Sequence, residues 1–259
     1  MIKFFRKIRQ NLLSEGKTGT YLKYAVGEII LVVIGILIAL GINNWNSNRI
    51  NTSKQRDYLM AIKNDLEKQI PVFNTLVKRC DSISVVGSNI LNDYKSSQDF
   101  SLIDSLNKKL SLFFYSEKFP GIYTTFEELK STGQINLIKN KSVRTQIISY
   151  YQNAKESQEG MRIVTSDIVY SHIYPTLKTS TVILPENLGY KNGINEVPSK
   201  IQSALKAKLT DPDTELALFN TINLRIIAAK ANQNYLLKSK DEAEQLLDAI
   251  GKELNQNKK

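Results

Sequence analysis

A run of apolar residues from Tyr24 to Trp45 restricts the folds that this chain can adopt. Its central 18 residues contain one charged side chain, that of Glu28. In an α-helix, 18 residues at about 1.5 Å each span roughly 27 Å, close to the ~30 Å hydrocarbon core of a bilayer. Tyr24 and Trp45 stand at the ends of the run, where aromatic rings favour the membrane–water interface. The run therefore predicts a transmembrane helix over residues 24–45.

The charges before this run predict its orientation. Residues 1–24 carry six lysines or arginines and one glutamate, a net charge of +5, which is half of the +10 of the whole chain. Because basic residues accumulate on the cytoplasmic side of a membrane helix, we expect a cytoplasmic N-terminus. The predicted domains are a cytoplasmic basic amphipathic tail at residues 1–23, the transmembrane helix at 24–45 and an extracytoplasmic all-α domain at 46–259.

The tail has the pattern of a short helix that lies on a membrane. In residues 1–13 the apolar side chains recur at helical spacing and the basic ones lie around them, which predicts contact with anionic lipid headgroups. A disordered basic tail is the alternative. A cleaved signal peptide is a second alternative, since Ala39-Leu40-Gly41 resembles a cleavage site, but the basic leader and the apolar run are both long for one.

The residues after Trp45 predict an all-α fold, an N-terminal transmembrane helix followed by an elongated antiparallel helical bundle. Prolines and glycines are few, and no strand pattern exceeds residues 181–184. We expect further helices at about 101–116, from 142 to a stop at Pro175, at 199–209, and from Pro212 onward behind an Asp211 cap. One apolar stripe at three- and four-residue spacing predicts that the first helix continues outward with a kink near Pro71: Leu59, Ile62, Leu66, Phe73, Leu76, Cys80, Ile83 and Ile90.

The segment from Thr124 to Asn140 predicts a short helix and a connector. Thr125 and Glu128 have the spacing of a capping box, and Gly133 is placed to end the helix. We expect its apolar residues to fold back onto the long helices, and an exposed docking surface is the alternative. This candidate docking or core motif consists of Phe126, Leu129, Ile135, Leu137 and Ile138.

The same segment resembles an uncharacterised family of single-pass membrane proteins from Gram-negative bacteria of the Bacteroidota type, catalogued as a domain of unknown function. The resemblance rests on residues 124–140, on Phe4-Phe5-Arg6-Lys7-Ile8-Arg9-Gln10-Asn11-Leu12-Leu13, and on the apolar run from Gly27 to Leu40. It implies a Gram-negative host, so the orientation predicted from the charges places the helix in the bacterial inner membrane and the C-terminal domain in the periplasm. It implies no activity and transfers no catalytic residues.

The residues that carry enzyme chemistry are scarce. The chain has one histidine, His172, and one cysteine, Cys80. A hydrolytic triad needs a base beside its nucleophile, and zinc needs several such ligands, so we predict no catalytic residue, no metal and no cofactor. An aromatic concentration is compatible with a ligand pocket or with plain core: Phe113, Phe114, Tyr115, Phe119, Tyr123 and Phe126.

The leading functional hypothesis is a non-catalytic interaction, scaffold or sensor-like module of the cell envelope. An envelope enzyme that acts on cell-wall or lipid substrates is the alternative. Nucleic acid is not an expected partner, because the basic charge concentrates beside the membrane run.

One face of the membrane run predicts a helix–helix interface. At 100° per residue Glu28, Gly35 and Ala39 share that face, and Gly35-x-x-x-Ala39 has the small-residue spacing that lets two backbones approach. We therefore expect the helix to pair with a second copy or with a partner membrane protein. A plain anchor is the alternative.

Overall fold

The computed structural model describes residues 18–190 and 196–256, so residues 1–17 of the tail predicted at 1–23 lie outside them. Throughout these described ranges the chain forms helices and no strand, which confirms the all-α class. The chain divides into two compact units, Met1–Asp57 and Tyr58–Lys259. The α-helices are α1 (Thr18–Ser97), α2 (Leu106–Ser111), α3 (Thr124–Ser131), α4 (Lys141–Ile163), α5 (Tyr174–Ser180), α6 (Ser199–Leu209) and α7 (Pro212–Gln256).

Short segments of other helical types join these elements. A π-helix, Val164–Ile173, connects α4 to α5, and the 3₁₀ turns are Phe100–Leu102, Leu112–Phe114, Gln134–Leu137 and Pro185–Leu188. Within the second unit α4 packs against α7, and α7 also packs against the π-helix and α5. The region predicted as one helix at 101–116 contains only α2 and two 3₁₀ turns, so that prediction was wrong in length.

The apolar stripe on α1 lies in the core of the second unit. The side chains of Leu59, Ile62, Leu66, Phe73, Cys80, Ile83 and Ile90 are all buried. Gln69, a polar position in the stripe, is also buried and accepts a 2.7 Å hydrogen bond from the Tyr150 hydroxyl. At Gly87 a Cβ atom would lie 2.7 Å from Cγ1 of Ile226, so glycine lets α1 and α7 approach closely there. Pro71 lies inside α1, which continues through it.

Pro175 does not stop the helical path, contrary to the sequence prediction. The backbone N–H of Tyr174 donates to the carbonyl of Val169, five residues earlier, and α5 begins at Tyr174 with Pro175 in its first turn. In an α-helix a proline ring clashes with the carbonyl four residues earlier. The chain instead widens into the π-helix just before the proline, and the path continues.

Two helix ends follow the sequence and one does not. Asp211 caps α7, because its Oδ2 accepts from the Thr214 amide at 3.0 Å, and Gly133 has a left-handed φ of 68° behind α3. The predicted capping box of α3 was wrong. The Thr125 hydroxyl donates to Asp65 on α1 at 2.6 Å instead of binding its own helix.

The buried face of α7 also differs from the predicted one. The spacing in the sequence predicts a seam of Leu216, Phe219, Ile226, Leu236, Leu247 and Leu254. Leu216 and Phe219 are exposed, Leu236 is buried, and the other three are half-buried. The buried residues include Leu218, Ile222, Arg225, Ala229, Leu236, Ala243, Leu246 and Ile250. The helix is apolar on more than one side in its first half, so spacing alone does not select the face that packs.

Candidate functional site

The predicted membrane face lies on α1 in the first unit. Glu28 is half-buried, whereas Gly35 and Ala39 are exposed, and no side-chain atom lies within 4 Å of the position that a Cβ atom of Gly35 would take. Within the described residues one helix is long and apolar enough to cross a membrane, and none of its most apolar window is buried. Such a stretch is typical of a membrane span, and a signal sequence has the same character.

The candidate docking or core motif lies in the second unit. Phe126, Leu129 and Ile138 are buried, Ile135 is half-buried against the core, and Leu137 is half-buried. The Phe126 ring stacks on that of Tyr151, with 4.3 Å between ring centroids. Polar contacts add to this packing, since the Tyr58 hydroxyl of α1 donates to Glu128 of α3 at 2.9 Å.

The aromatic concentration contributes to both the core and a cavity. Phe113 and Phe126 are buried in the core, whereas Phe119 and Tyr123 line a cavity of about 770 Å³. Its walls come from the segment 116–123, from α3, from α4 and from the π-helix. The lining residues that matter below are Glu117, Phe119, Tyr123, Met161, Thr165 and Tyr170. This cavity, which we call the α4–π cavity, is the candidate functional site.

Arg225 of α7 fixes the segment that leads into the cavity. Its side chain is fully buried, and its Nε and Nη2 donate to the carbonyls of Phe113 and Tyr115 at 3.3 and 2.7 Å. The Phe113 carbonyl lies in the 3₁₀ turn Leu112–Phe114 and the Tyr115 carbonyl follows it, where the helix does not continue to supply backbone donors. The guanidinium group therefore takes the place of backbone partners and holds the segment against α7.

Glu117 lies beside this arginine and is itself buried. Its Oε2 is 3.8 Å from Nη2 of Arg225, an ion-pair distance too long for a hydrogen bond. Both carboxylate oxygens of Glu117 and Nη1 of Arg225 are buried without a hydrogen-bond partner. Burial lowers the pKa of Arg225, and the neighbouring Glu117 charge opposes that effect.

Two further lining residues hold buried polar atoms without partners. The hydroxyl of Tyr123 and Oγ1 of Thr165 make no hydrogen bond. Burial raises the pKa of Tyr123 to about 12, so its hydroxyl is neutral at physiological pH. Since unpaired buried polar atoms are rare in folded proteins, three such residues around one cavity point to a polar guest or to ordered water.

The π-helix forms one wall of the cavity. It contributes Thr165, Ser166 and Tyr170, and the hydroxyls of Ser116 and Tyr170 lie 3.1 Å apart across the cavity lining. Single π turns occur frequently at functional sites because they shift side chains out of α-helical register. Here the π-helix ends just before Pro175. Its wider turns direct a different set of side chains toward the segment 116–123 than an α-helix would.

The charged residues around the cavity are mostly tied to one another. Lys155 pairs with Glu127, and Arg162 donates two hydrogen bonds to Glu159, at 2.8 and 2.7 Å. The Lys155 ammonium group also lies 5.6 Å from the centroid of the Tyr123 ring. That distance is within the range of a cation–π contact, so the ring already attracts a cation.

The residues considered for catalysis lie elsewhere. His172 is exposed, and Cys80 is buried in the α1 stripe and unpaired in any disulfide. In the part of the chain that the structure describes, no three His, Cys, Asp or Glu side chains form a group able to hold a metal. Sequence reasoning missed Glu117, Thr165 and Arg225. A charged residue between Leu224 and Ile226 was the one available signal for the arginine.

We expect Cys80 to resist alkylation in the folded protein. Burial is the largest cause that raises its pKa to about 12, so the thiol stays protonated well above neutral pH and the reactive thiolate is scarce. Iodoacetamide labelling of the full chain, followed by mass spectrometry, should be slow in buffer and fast in concentrated guanidinium chloride. Equal labelling rates under the two conditions would contradict the burial of this thiol.

Comparison with known proteins identifies the family. The model of DUF6090, a family of unknown function, matches residues 28–165, which contain every residue lining the cavity except Ser166 and Tyr170. No curated protein and no solved structure gives a significant match. Because the match covers more than half of the 259 residues, the chain belongs to DUF6090, a family of unknown function.

Proposed function

We propose that this protein is a membrane-anchored, non-catalytic binding module of the cell envelope, of an interaction, scaffold or sensor-like kind. The observation that carries the proposal is the α4–π cavity, in which Glu117, Tyr123 and Thr165 hold buried polar atoms without partners. A cavity of about 770 Å³ falls within the size range of small-molecule sites. Binding of a ligand in the cavity of the second unit is therefore its proposed activity.

The composition of the cavity favours binding over catalysis. Its lining includes no histidine and no cysteine, and two of its three carboxylates, Glu127 and Glu159, are engaged by cations. General acid–base chemistry needs a positioned proton donor or acceptor that can reach the substrate. An envelope enzyme acting on cell-wall or lipid substrates is the competing hypothesis.

The binding proposal is tested with the full-length protein in lipid nanodiscs. The probes belong to four classes: ammonium, carboxylate, polyol and phosphate compounds. We expect at least one class to raise the melting temperature of the second unit. Gln158→Trp places a large ring at the cavity lining and should abolish that rise. Gln152→Trp is the matched control, because this exposed residue lies on the same helix outside the lining. No rise with any class, or an equal rise in both variants, would contradict binding in the cavity.

The location proposed for the module is the inner membrane of a Gram-negative bacterium. The apolar stretch of α1 and the basic residues before it support a cytoplasmic N-terminus and a periplasmic C-terminal unit. Anionic headgroups are the proposed contact of the tail. A second copy or a partner membrane protein is the proposed contact of the face formed by Glu28, Gly35 and Ala39.

Reporter fusions test this orientation. We expect a C-terminal alkaline phosphatase fusion to be active and a C-terminal GFP fusion to be dark, because only the phosphatase folds to an active enzyme in the periplasm. GFP placed before Met1 should fluoresce and serves as the control. A bright C-terminal GFP together with an inactive phosphatase would reverse the orientation and the location.

A further inference from the structure

We propose that the α4–π cavity takes a ligand with a protonated amine, bound with its ammonium group against Glu117. This inference rests on the proposed binding function and specifies its ligand class. Ionised glutamate only accepts hydrogen bonds, and both oxygens of Glu117 are buried with none to accept. An ammonium group supplies three donors and a positive charge, which together satisfy such a group.

Arg225 does not already fill this role. Its Nε and Nη2 donate to the carbonyls of Phe113 and Tyr115, its Nη1 has no partner, and its nearest approach to the carboxylate of Glu117 is 3.8 Å. Arg225 is also absent from the cavity lining, whereas Glu117 is part of it. The arginine therefore balances part of the charge of Glu117 and leaves its hydrogen-bonding capacity unused.

The other charges of the lining favour a cation over an anion. Lys155 and Arg162 are each paired with a carboxylate, and Lys118 is exposed. An anionic ligand would face the buried carboxylate of Glu117, and like charges at short range in a poorly solvated site repel strongly. Lys155 and Arg162 are thus available to a ligand only if it first breaks their ion pairs.

Aromatic rings provide the second attraction. Phe119, Tyr123 and Tyr170 line the cavity, and the Lys155 ammonium group already lies within cation–π distance of the Tyr123 ring. Ring faces attract cations and also bury the carbon skeleton of a ligand. The hydroxyls of Tyr123 and Thr165, both without partners, can accept the remaining N–H donors. The site therefore suits an amine with an apolar or aromatic body.

A pair of probes with one carbon skeleton tests the inference. Phenethylammonium and phenethyl alcohol differ in the charged group alone, and binding to the full-length protein in nanodiscs is measured by isothermal titration calorimetry. We expect the ammonium compound to bind at least about tenfold more tightly, since a charge-assisted hydrogen bond is roughly twice as strong as a neutral one. Equal affinity for the two probes would overturn the inference.

Variants locate the ammonium group. Glu117→Gln keeps the shape and removes the charge, so the preference for the ammonium compound should disappear, whereas Glu156→Gln, an exposed change on α4 outside the lining, should preserve it. Thr165→Val removes one hydroxyl that has no partner and should weaken ammonium binding severalfold. If Glu117→Gln does not fold, the result for Thr165→Val decides whether the ammonium group binds in the cavity. Ammonium binding that is unchanged in Thr165→Val and in Gln158→Trp would overturn the inference.

The outcomes separate this inference from the proposed function. Stabilisation by a polyol, carboxylate or phosphate compound that Gln158→Trp abolishes, without ammonium binding, overturns the amine inference and leaves the binding function supported. Failure of all four probe classes overturns both.

Discussion

Replacing Arg225 by methionine is expected to destabilise the second unit by about 3–5 kcal/mol, because the substitution leaves an uncompensated buried charge. The variant leaves Glu117 buried with no cation and frees the carbonyls of Phe113 and Tyr115 from their donors. The free energy of unfolding can be followed by circular dichroism in urea on the full chain in detergent micelles. The segment 116–123 should be displaced first, and the cavity should be lost with it.

Two further variants separate charge from packing. Lys230→Met removes an exposed lysine from the same helix, so its effect should stay within about 0.5 kcal/mol. The double variant Glu117→Leu/Arg225→Met removes both charges and should recover much of the lost stability, since apolar replacement of a buried pair is often neutral. If the double variant is as unstable as Arg225→Met, the loss comes from the backbone carbonyls instead of the unpaired charge.

Leu129→Ala is expected to cost about 2–5 kcal/mol, as truncation of a fully buried leucine does. Leu129 is 0 % exposed in the core of the second unit, whereas Leu137 is only half-buried. Leu137→Ala should therefore cost clearly less than Leu129→Ala. Thermal unfolding of the full chain in micelles measures both variants, with exposed Lys130→Ala as the control on the same helix.

The contrast between the two leucines also decides the role of the segment 124–140. A large loss for Leu129→Ala alone means that the segment belongs to the core. If neither variant changes the melting temperature, the segment contributes little to the core and the docking alternative gains support.

Local pattern was sufficient for much of the fold. The three- and four-residue spacing of the stripe from Leu59 to Ile90 correctly predicted the buried face of α1, because a single apolar stripe offers one face to pack. The Asp211 cap and the left-handed Gly133 followed from residue chemistry in the same way. These features depend on neighbours within a turn or two of the helix.

Contacts between distant parts of the chain decided the rest. Thr125 fits a capping box by spacing, yet its hydroxyl donates to Asp65 on α1. The spacing of neighbouring residues cannot predict a partner that is 60 positions away in the sequence. The buried face of α7 required the shape of the neighbouring helices, since Leu216 and Leu218 are equally apolar in sequence.

The candidate site depends most on the tertiary structure. In the sequence Glu117 and Arg225 look like ordinary charged residues. They are buried together because α7 packs against the segment 116–123. The π-helix before Pro175 likewise follows from packing that keeps the helical path intact across a proline. The sequence by itself determined the helical class, the long apolar stretch and the stripe of α1, because those are properties of single helices. The cavity exists only where the segment 116–123, α3, α4 and the π-helix meet, and side-chain burial there is a property of the assembled unit.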